Sequence, residues 1–176
     1  MHMEAILIMK KKADAWYYLD RIDWKILREL QQNGRVTNLD LANLVALSPT
    51  AVLSRVQRLT RDGYILGYEA RLNPRKLDAS MVIFAEVILD RTTTNAFDIF
   101  SSAVQGHAEI QECQMISGDF DFLLKIRCAN MQGYRVFAED VLWKLPGVCQ
   151  TRSFIVMEEV KNTTNINLPG SVYISS

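Results

Sequence analysis

The chain has 176 residues, enough for one ordinary domain or two small ones. Lys+Arg and Asp+Glu both number 20, which excludes a chain that is polycationic or acidic throughout. The balance hides a split: residues 1–78 hold 13 basic and 9 acidic side chains (+4), residues 79–176 hold 7 and 11 (−4), so the N-terminal part is the one suited to a polyanion.

From Asp20, the residues Ile22, Ile26, Leu27 and Leu30 recur at helical spacing and predict a first helix that ends near Asn33-Gly34. Thr37-Asn38-Leu39-Asp40 has the spacing of a capping box, with Asp in place of the usual Glu or Gln, and opens a short second helix carrying Leu41, Ala42, Leu44 and Val45. Ser48 as N-cap and Pro49 at the first helical position start a third helix, which runs to about Asp62 and stops at Gly63. Its apolar stripe is Val52, Val56 and Leu59. Tyr64 to Tyr68 and Ala70 to Leu72 read as a small hairpin or wing closed by Asn73-Pro74, and a linker covers 74–80.

Between Ser48 and Arg61 there is no acidic side chain and there are three arginines. Three short helices with a tight turn before a basic third one fit a helix-turn-helix, whose last helix enters the major groove of double-stranded DNA. With Val52, Val56 and Leu59 facing the other helices, the candidate DNA contacts are Ser48, Thr50, Ser54, Gln57, Arg58 and Arg61, with Arg55 at the margin. Arginine and glutamine can read guanine and adenine edges in bidentate fashion, whereas marginal residues more often hold phosphate. The plainer alternative is a solvated basic face on a small helical bundle.

The second half changes rhythm. Met81 to Leu89 predicts a strand; Phe97, Phe100 and Val104 mark a helix; Ile110 to Ser117 and Phe122 to Cys128 predict strands joined across Gly118-Asp119. A longer helix carries Tyr134, Phe137, Ala138, Val141, Leu142 and Leu145 until Pro146-Gly147, and Val148 to Met157 is the last strand. The order β-α-β-β-α-β is that of a ferredoxin-like α+β sandwich with both helices on one sheet face. Apolar side chains on both sides of the first strand (Ile83, Ala85, Val87 against Val82, Phe84, Ile88) call for a second copy to cover the other face, hence a homo-oligomer.

Seven segments together resemble a known family. They are Leu19-Asp20-Arg21-Ile22-Asp23, Leu30-Gln31-x-Asn33-Gly34-Arg35, Leu47-Ser48-Pro49-Thr50, Leu72-Asn73-Pro74-x-x-Leu77-Asp78-Ala79-Ser80, Ile110-Gln111-Glu112-Cys113, Ser117-Gly118-Asp119-Phe120-Asp121 and Val156-Met157-Glu158-Glu159-Val160-Lys161. In order and without large gaps they resemble the leucine-responsive/asparagine-responsive (feast/famine) transcription regulators over about residues 19 to 161. The resemblance implies an N-terminal winged helix-turn-helix domain (19–73) and a ferredoxin-like domain (81–161) that oligomerises and senses a small molecule. It also implies an amino-acid effector, leucine first, and an assembly built from dimers, up to an octamer. Ala46 stands where a glycine is common in the turn, Val52-Leu53-Ser54 departs from the usual third helix, and the extension before Leu19 has no counterpart in the family.

In the family it resembles, the effector binds near the loop that here is Ser117-Gly118-Asp119-Phe120-Asp121, in a crevice between sensing domains of neighbouring subunits. An amino acid brings an ammonium, which wants a carboxylate such as Asp119 or Asp121, and a carboxylate, which wants backbone N–H groups that Gly118 leaves unobstructed. The plainer reading is a β-hairpin turn with two solvated acids. Met115, Met131 and Thr151 are candidates for the border of such a crevice, against the simpler reading as core or strand surface.

An enzyme lacks its parts here. The histidines are only His2 and His107, there is no phosphate-cradling glycine loop, and Asp119 with Asp121 offers two carboxylates without a third metal ligand. Cys113, Cys128 and Cys149 show no C-x-x-C spacing and read as small core residues in a reducing cytoplasm. No apolar run approaches the ~20 residues that span a bilayer, and Ala5 to Met9 is too short for an export signal. The expectation is therefore a cytoplasmic regulator with no metal, no cofactor and no membrane partner. The rival from another class is an amino-acid-binding regulatory subunit acting on a protein partner, which leaves the basic helix without a task.

Overall fold

The computed structural model describes residues 19–90, 92 and 94–169. The N-terminal extension expected over residues 1–18, including Ala5 to Met9 and His2, lies outside the described residues. Two compact units emerge, one from residues 19–70 with 163–169, the other from 71–162.

In the first unit, α1 (Arg21–Gln32) begins at a full capping box: the Asp20 carboxylate accepts from the N–H groups of Ile22 and Asp23, and Asp23 accepts from the N–H of Asp20. This satisfies donors that the first helical turn leaves without partners. α2 (Asn38–Val45) starts at Thr37, whose hydroxyl oxygen accepts from the N–H of Asp40. The Thr37 hydroxyl in turn donates to the Asp40 carboxylate at 2.6 Å, so that carboxylate serves the Thr37 side chain where the box motif would use the backbone. α3 (Pro49–Arg61) is capped by Ser48, with Pro49 at its first position, and ends before Gly63 at φ +80°, a left-handed conformation that glycine adopts without strain. Ile26, Leu41, Ala42, Val45, Val52 and Leu59 form the buried core, each aliphatic side chain larger than alanine contributing about 1.5–3 kcal/mol.

Two features of this unit were not legible as sequence pattern. Tyr64 to Leu72, expected as a hairpin, forms no strand ladder; instead the N–H groups of Tyr64 and Ile65 return to the carbonyl of Leu59. Tyr68 lies over Gly34, where an added Cβ would come 3.0 Å from its ring. Residues 163–169, which lie beyond the elements predicted from sequence, dock on α1. The Gln31 amide donates to the carbonyl of Ile166 and accepts from its N–H, both at 2.9 Å, Arg28 donates to the carbonyl of Pro169, and Leu168 is buried.

The second unit runs β1 (Met81–Leu89), α4 (Ala96–Val104), β2 (Ile110–Met115), β3 (Phe122–Cys128), α5 (Met131–Asp140) and β4 (Val148–Ile155). Its antiparallel sheet has the order β2-β3-β1-β4, the ferredoxin-like arrangement expected. Ile83, Ala85, Val87, Leu89, Phe122, Leu124 and Ile126 pack with Phe100, Val104, Tyr134, Phe137 and Leu142 on the helical side. The expected long helix through Leu145 is shorter: Val141 takes φ −122°, ψ −69°, and a single 3-10 turn, Leu142–Lys144, follows. The break keeps Leu142 and Leu145 in the core without a continuous helix.

The opposite sheet face carries Phe84, Glu86 and Ile88 on β1, Leu123, Lys125 and Arg127 on β3, and Arg152 and Phe154 on β4. Arg127, 9% exposed, donates to Gln111, to the carbonyl of Ala79 and to Glu159, so it fastens the segments that enter and leave the sheet.

Candidate nucleic-acid interface and effector loop

The basic third helix divides into two faces that the sequence did not separate. Asp23, 1% exposed, receives Arg55 Nη1 at 2.8 Å and Arg58 Nη2 at 2.6 Å, and Arg55 also reaches Asp20 at 2.7 Å. Burial works against a charged Asp20, but the N–H of Asp23, the Arg55 guanidinium and the N–H of Ile22 outweigh it and hold its carboxyl below the usual carboxylate range. The same two carboxylates, Asp20 foremost, raise the pKa of Arg55. Arg58, expected to point outward, is drawn instead with Arg55 into a cluster that fastens α3 to α1. The physical reason is the buried Asp23 carboxylate, whose charge must be compensated where water cannot do it.

The exposed face of α3 presents Thr50, Leu53, Ser54, Gln57, Thr60 and Arg61. Arg61 is loosely held, 73% exposed, with Asp62 at 3.2 Å. Ser48 is exposed but its oxygen is committed to the N–H of Ala51 at 3.3 Å. Between α2 and α3 the chain turns at Ala46, φ 57°, ψ 48°, and the N–H of Leu47 returns to the carbonyl of Ala42. This left-handed residue sets the tight turn, and alanine occupies it under strain.

The loop after β2 also sorts its two acids. The Asp121 carboxylate is 3% exposed and accepts from the N–H of Leu89 at 2.8 Å, while its own N–H goes to Val87 and its carbonyl receives the N–H of Ile116. Asp121, expected as a partner for a ligand ammonium, therefore stitches the loop to the end of β1. Asp119 is exposed and lines a hollow with Glu86, Ile88, Phe120, Thr151 and Arg152. Arg152 stands 3.4 Å from Glu86, and both lie on the sheet face away from the helices. Of the other expected effector residues, Thr151 lines the hollow, whereas Met115, Ser117, Gly118 and Met131 do not. A Cβ on Gly118 would meet only Ile116 at 3.8 Å, so space does not demand glycine there. Glu86, Ile88 and Arg152, which also line the hollow, are not singled out by the sequence because they belong to strands distant from the loop; the register Glu86↔Arg152 brings them together.

A capped three-helix unit with an exposed polar face on its third helix, followed by a ferredoxin-like unit with an open sheet face, fits a DNA-binding transcription regulator. Residues 19–65 match the winged helix-turn-helix DNA-binding model and residues 82–166 match the Lrp/AsnC ligand binding domain. Similar proteins include the leucine-responsive regulatory protein of Klebsiella pneumoniae, 52% identical over 148 residues, covering 84% of this chain and 90% of that protein. The protein of the same name from Escherichia coli K12 is 51% identical over the same shares. Among solved structures, a transcriptional regulator of Neisseria meningitidis in complex with L-Met superimposes with a TM-score of 0.80 at 34% identity, over 85% of this chain and 96% of that one. The feast or famine regulatory protein of M. tuberculosis complexed with L-methionine gives 0.77 at 29%, over 84% and 98%. The chain belongs to the Lrp/AsnC family of transcription regulators.

Proposed function

We propose that this chain is a cytoplasmic, sequence-specific regulator whose assembly or grip on double-stranded DNA is set by a small aliphatic amino acid, leucine first. The observation that carries the effector half is the hollow beside Asp119. It offers carboxylates (Glu86, Asp119) and a guanidinium (Arg152) around apolar Ile88 and Phe120, the complement of a zwitterion with an aliphatic side chain. On the DNA side, α3 supplies Thr50, Ser54, Gln57 and Arg61 to the groove, with Arg55 and Arg58 holding the helix at its angle.

Self-association follows from the open sheet face. Phe154 is 46% exposed there, opposite Phe84, and a second copy of the face is the self-complementary cover that a two-fold dimer provides. Dimers then build the larger assembly, up to an octamer. A ligand shifts such an assembly only by binding one arrangement better than another. The test is a pair of titrations on the full chain: leucine and methionine into the protein, and the protein onto DNA fragments selected from its genome, with and without each amino acid. DNA affinity that moves with leucine supports the reading. Amino-acid binding with no DNA binding supports instead a regulatory subunit acting on a protein partner.

A further inference from the structure

We propose that Leu53 is a specificity-determining residue of the DNA-reading helix, packing its side chain against the C5 methyl of a thymine while Gln57 takes the adenine edge of a neighbouring base pair. The inference rests on α3 being the reading helix and goes beyond that by naming the chemistry it reads.

The placement of the side chains carries it. Two of the three arginines of α3 are engaged with Asp23, which removes the residue type best suited to guanine from the middle of the helix. Arg61 remains outward, but in the last turn. The exposed face ahead of Arg61 is thus held by Thr50 in the first turn and by Leu53, Ser54 and Gln57 in the middle. Leu53 is 41% exposed, whereas Val52 and Leu59 on the same helix are fully buried. An aliphatic side chain cannot hydrogen-bond a base edge. In the major groove its one favourable partner is the thymine methyl, the only apolar group displayed there.

Gln57 lies one turn on, at i+4, with its Cβ about 5–6 Å from that of Leu53. Successive base pairs rise about 3.4 Å, so two side chains at this spacing address neighbouring base pairs. Glutamine pairs in bidentate fashion with adenine N6 and N7. Leu53 and Gln57 together therefore favour adjacent A·T pairs in each half-site, where an outward Arg58 would have favoured G·C.

The experiment uses the full chain and a duplex recovered by selection from genomic DNA. Each thymine is replaced in turn by deoxyuridine, which lacks only the C5 methyl. The parent protein should lose about four-fold affinity at one or two positions per half-site, the worth of one buried methyl-sized group. Leu53→Ala should bind the thymine duplex with a comparable loss and show no further loss with uracil at those positions. Far-UV circular dichroism and thermal unfolding confirm that the variant is folded, and the uracil scan on the parent is decisive by itself. A parent indifferent to every uracil, or a Leu53→Ala variant that keeps the parent's uracil penalty, overturns the inference while leaving DNA binding intact. A protein that binds no duplex of any sequence overturns the DNA-binding reading, and this inference with it.

Discussion

Asp23 and Arg58 meet carboxylate to guanidinium at 2.6 Å, the acid 1% exposed and the arginine 31%. The pair makes α1 the anchor of α3, so a substitution at either end changes how the helix is presented before it changes what the helix touches. Asp23→Ala removes the acceptor of two guanidiniums and one member of the capping box. It should destabilise the helical unit by about 2–3 kcal/mol, because charged hydrogen bonds are worth ~1.5–3 kcal/mol each and the partly exposed arginines recover part in water. Arg58→Ala should lose DNA affinity and thermal stability together. Arg61→Ala should lose affinity alone, with a salt slope lower by about one unit if it holds a phosphate. Thermal unfolding beside salt-dependent anisotropy separates the two, and an Arg58→Ala protein of unchanged stability but weaker binding would make Arg58 a direct DNA contact.

Ala46→Gly should stabilise the helix-turn-helix. An L residue in the left-handed region costs ~1–2 kcal/mol, and glycine gives back about 0.4–1 kcal/mol through the greater freedom of its unfolded chain. The net gain is roughly 0.5–1 kcal/mol, read as a shift in the denaturant midpoint with an unchanged slope. A loss of stability would mean that the alanine methyl makes contacts worth more than the strain.

Asp20 gives the anchor a pH dependence. Its folded pKa lies below the unfolded one, so its contribution is complete above the unfolded value, about 3.9, and is lost as pH falls through the folded value. The helical unit should weaken below about pH 4, and Asp20→Asn, which cannot titrate, should lose less stability than the parent over that acid range. Equilibrium unfolding at a series of pH values between about 2.5 and 6 checks the sign.

Local signals were legible in the sequence where one short stretch decides the outcome. Thr37 and Ser48 cap their helices as read, Gly63 ends α3, and the β-α-β-β-α-β order set the sheet because strand and helix periods differ so plainly between Met81 and Ile155. What escaped depends on long-range pairing. Arg58 resembles any solvent-facing residue until Asp23, 35 positions away, is placed beside it, and Asp121 resembles Asp119 until its carboxylate is seen on the N–H of Leu89. The end of α5 was misread for a related reason: apolar spacing continues through Val141 to Leu145, and a 3-10 turn buries the same side chains as a helix would.

The two acids of the effector loop should behave oppositely. Asp121→Ala leaves the N–H of Leu89, itself 2% exposed, without its acceptor, at a cost of about 1–3 kcal/mol of stability in the sheet unit. Any fall in leucine affinity should then track the loss of folded protein. Asp119→Ala removes an exposed carboxylate at the mouth of the hollow. Stability should stay within about 0.5 kcal/mol of the parent, as for surface substitutions generally, while leucine affinity falls by ~1.5–3 kcal/mol, the worth of a charged hydrogen bond to the ammonium. DNA affinity without leucine should be the same for Asp119→Ala and the parent, since the substitution touches neither α3 nor its anchor. Calorimetric titration of leucine, thermal unfolding and DNA anisotropy on both variants give a two-by-two pattern. An Asp119→Ala protein with the parent's leucine affinity would place the ammonium elsewhere, with Glu86 the remaining carboxylate of the hollow.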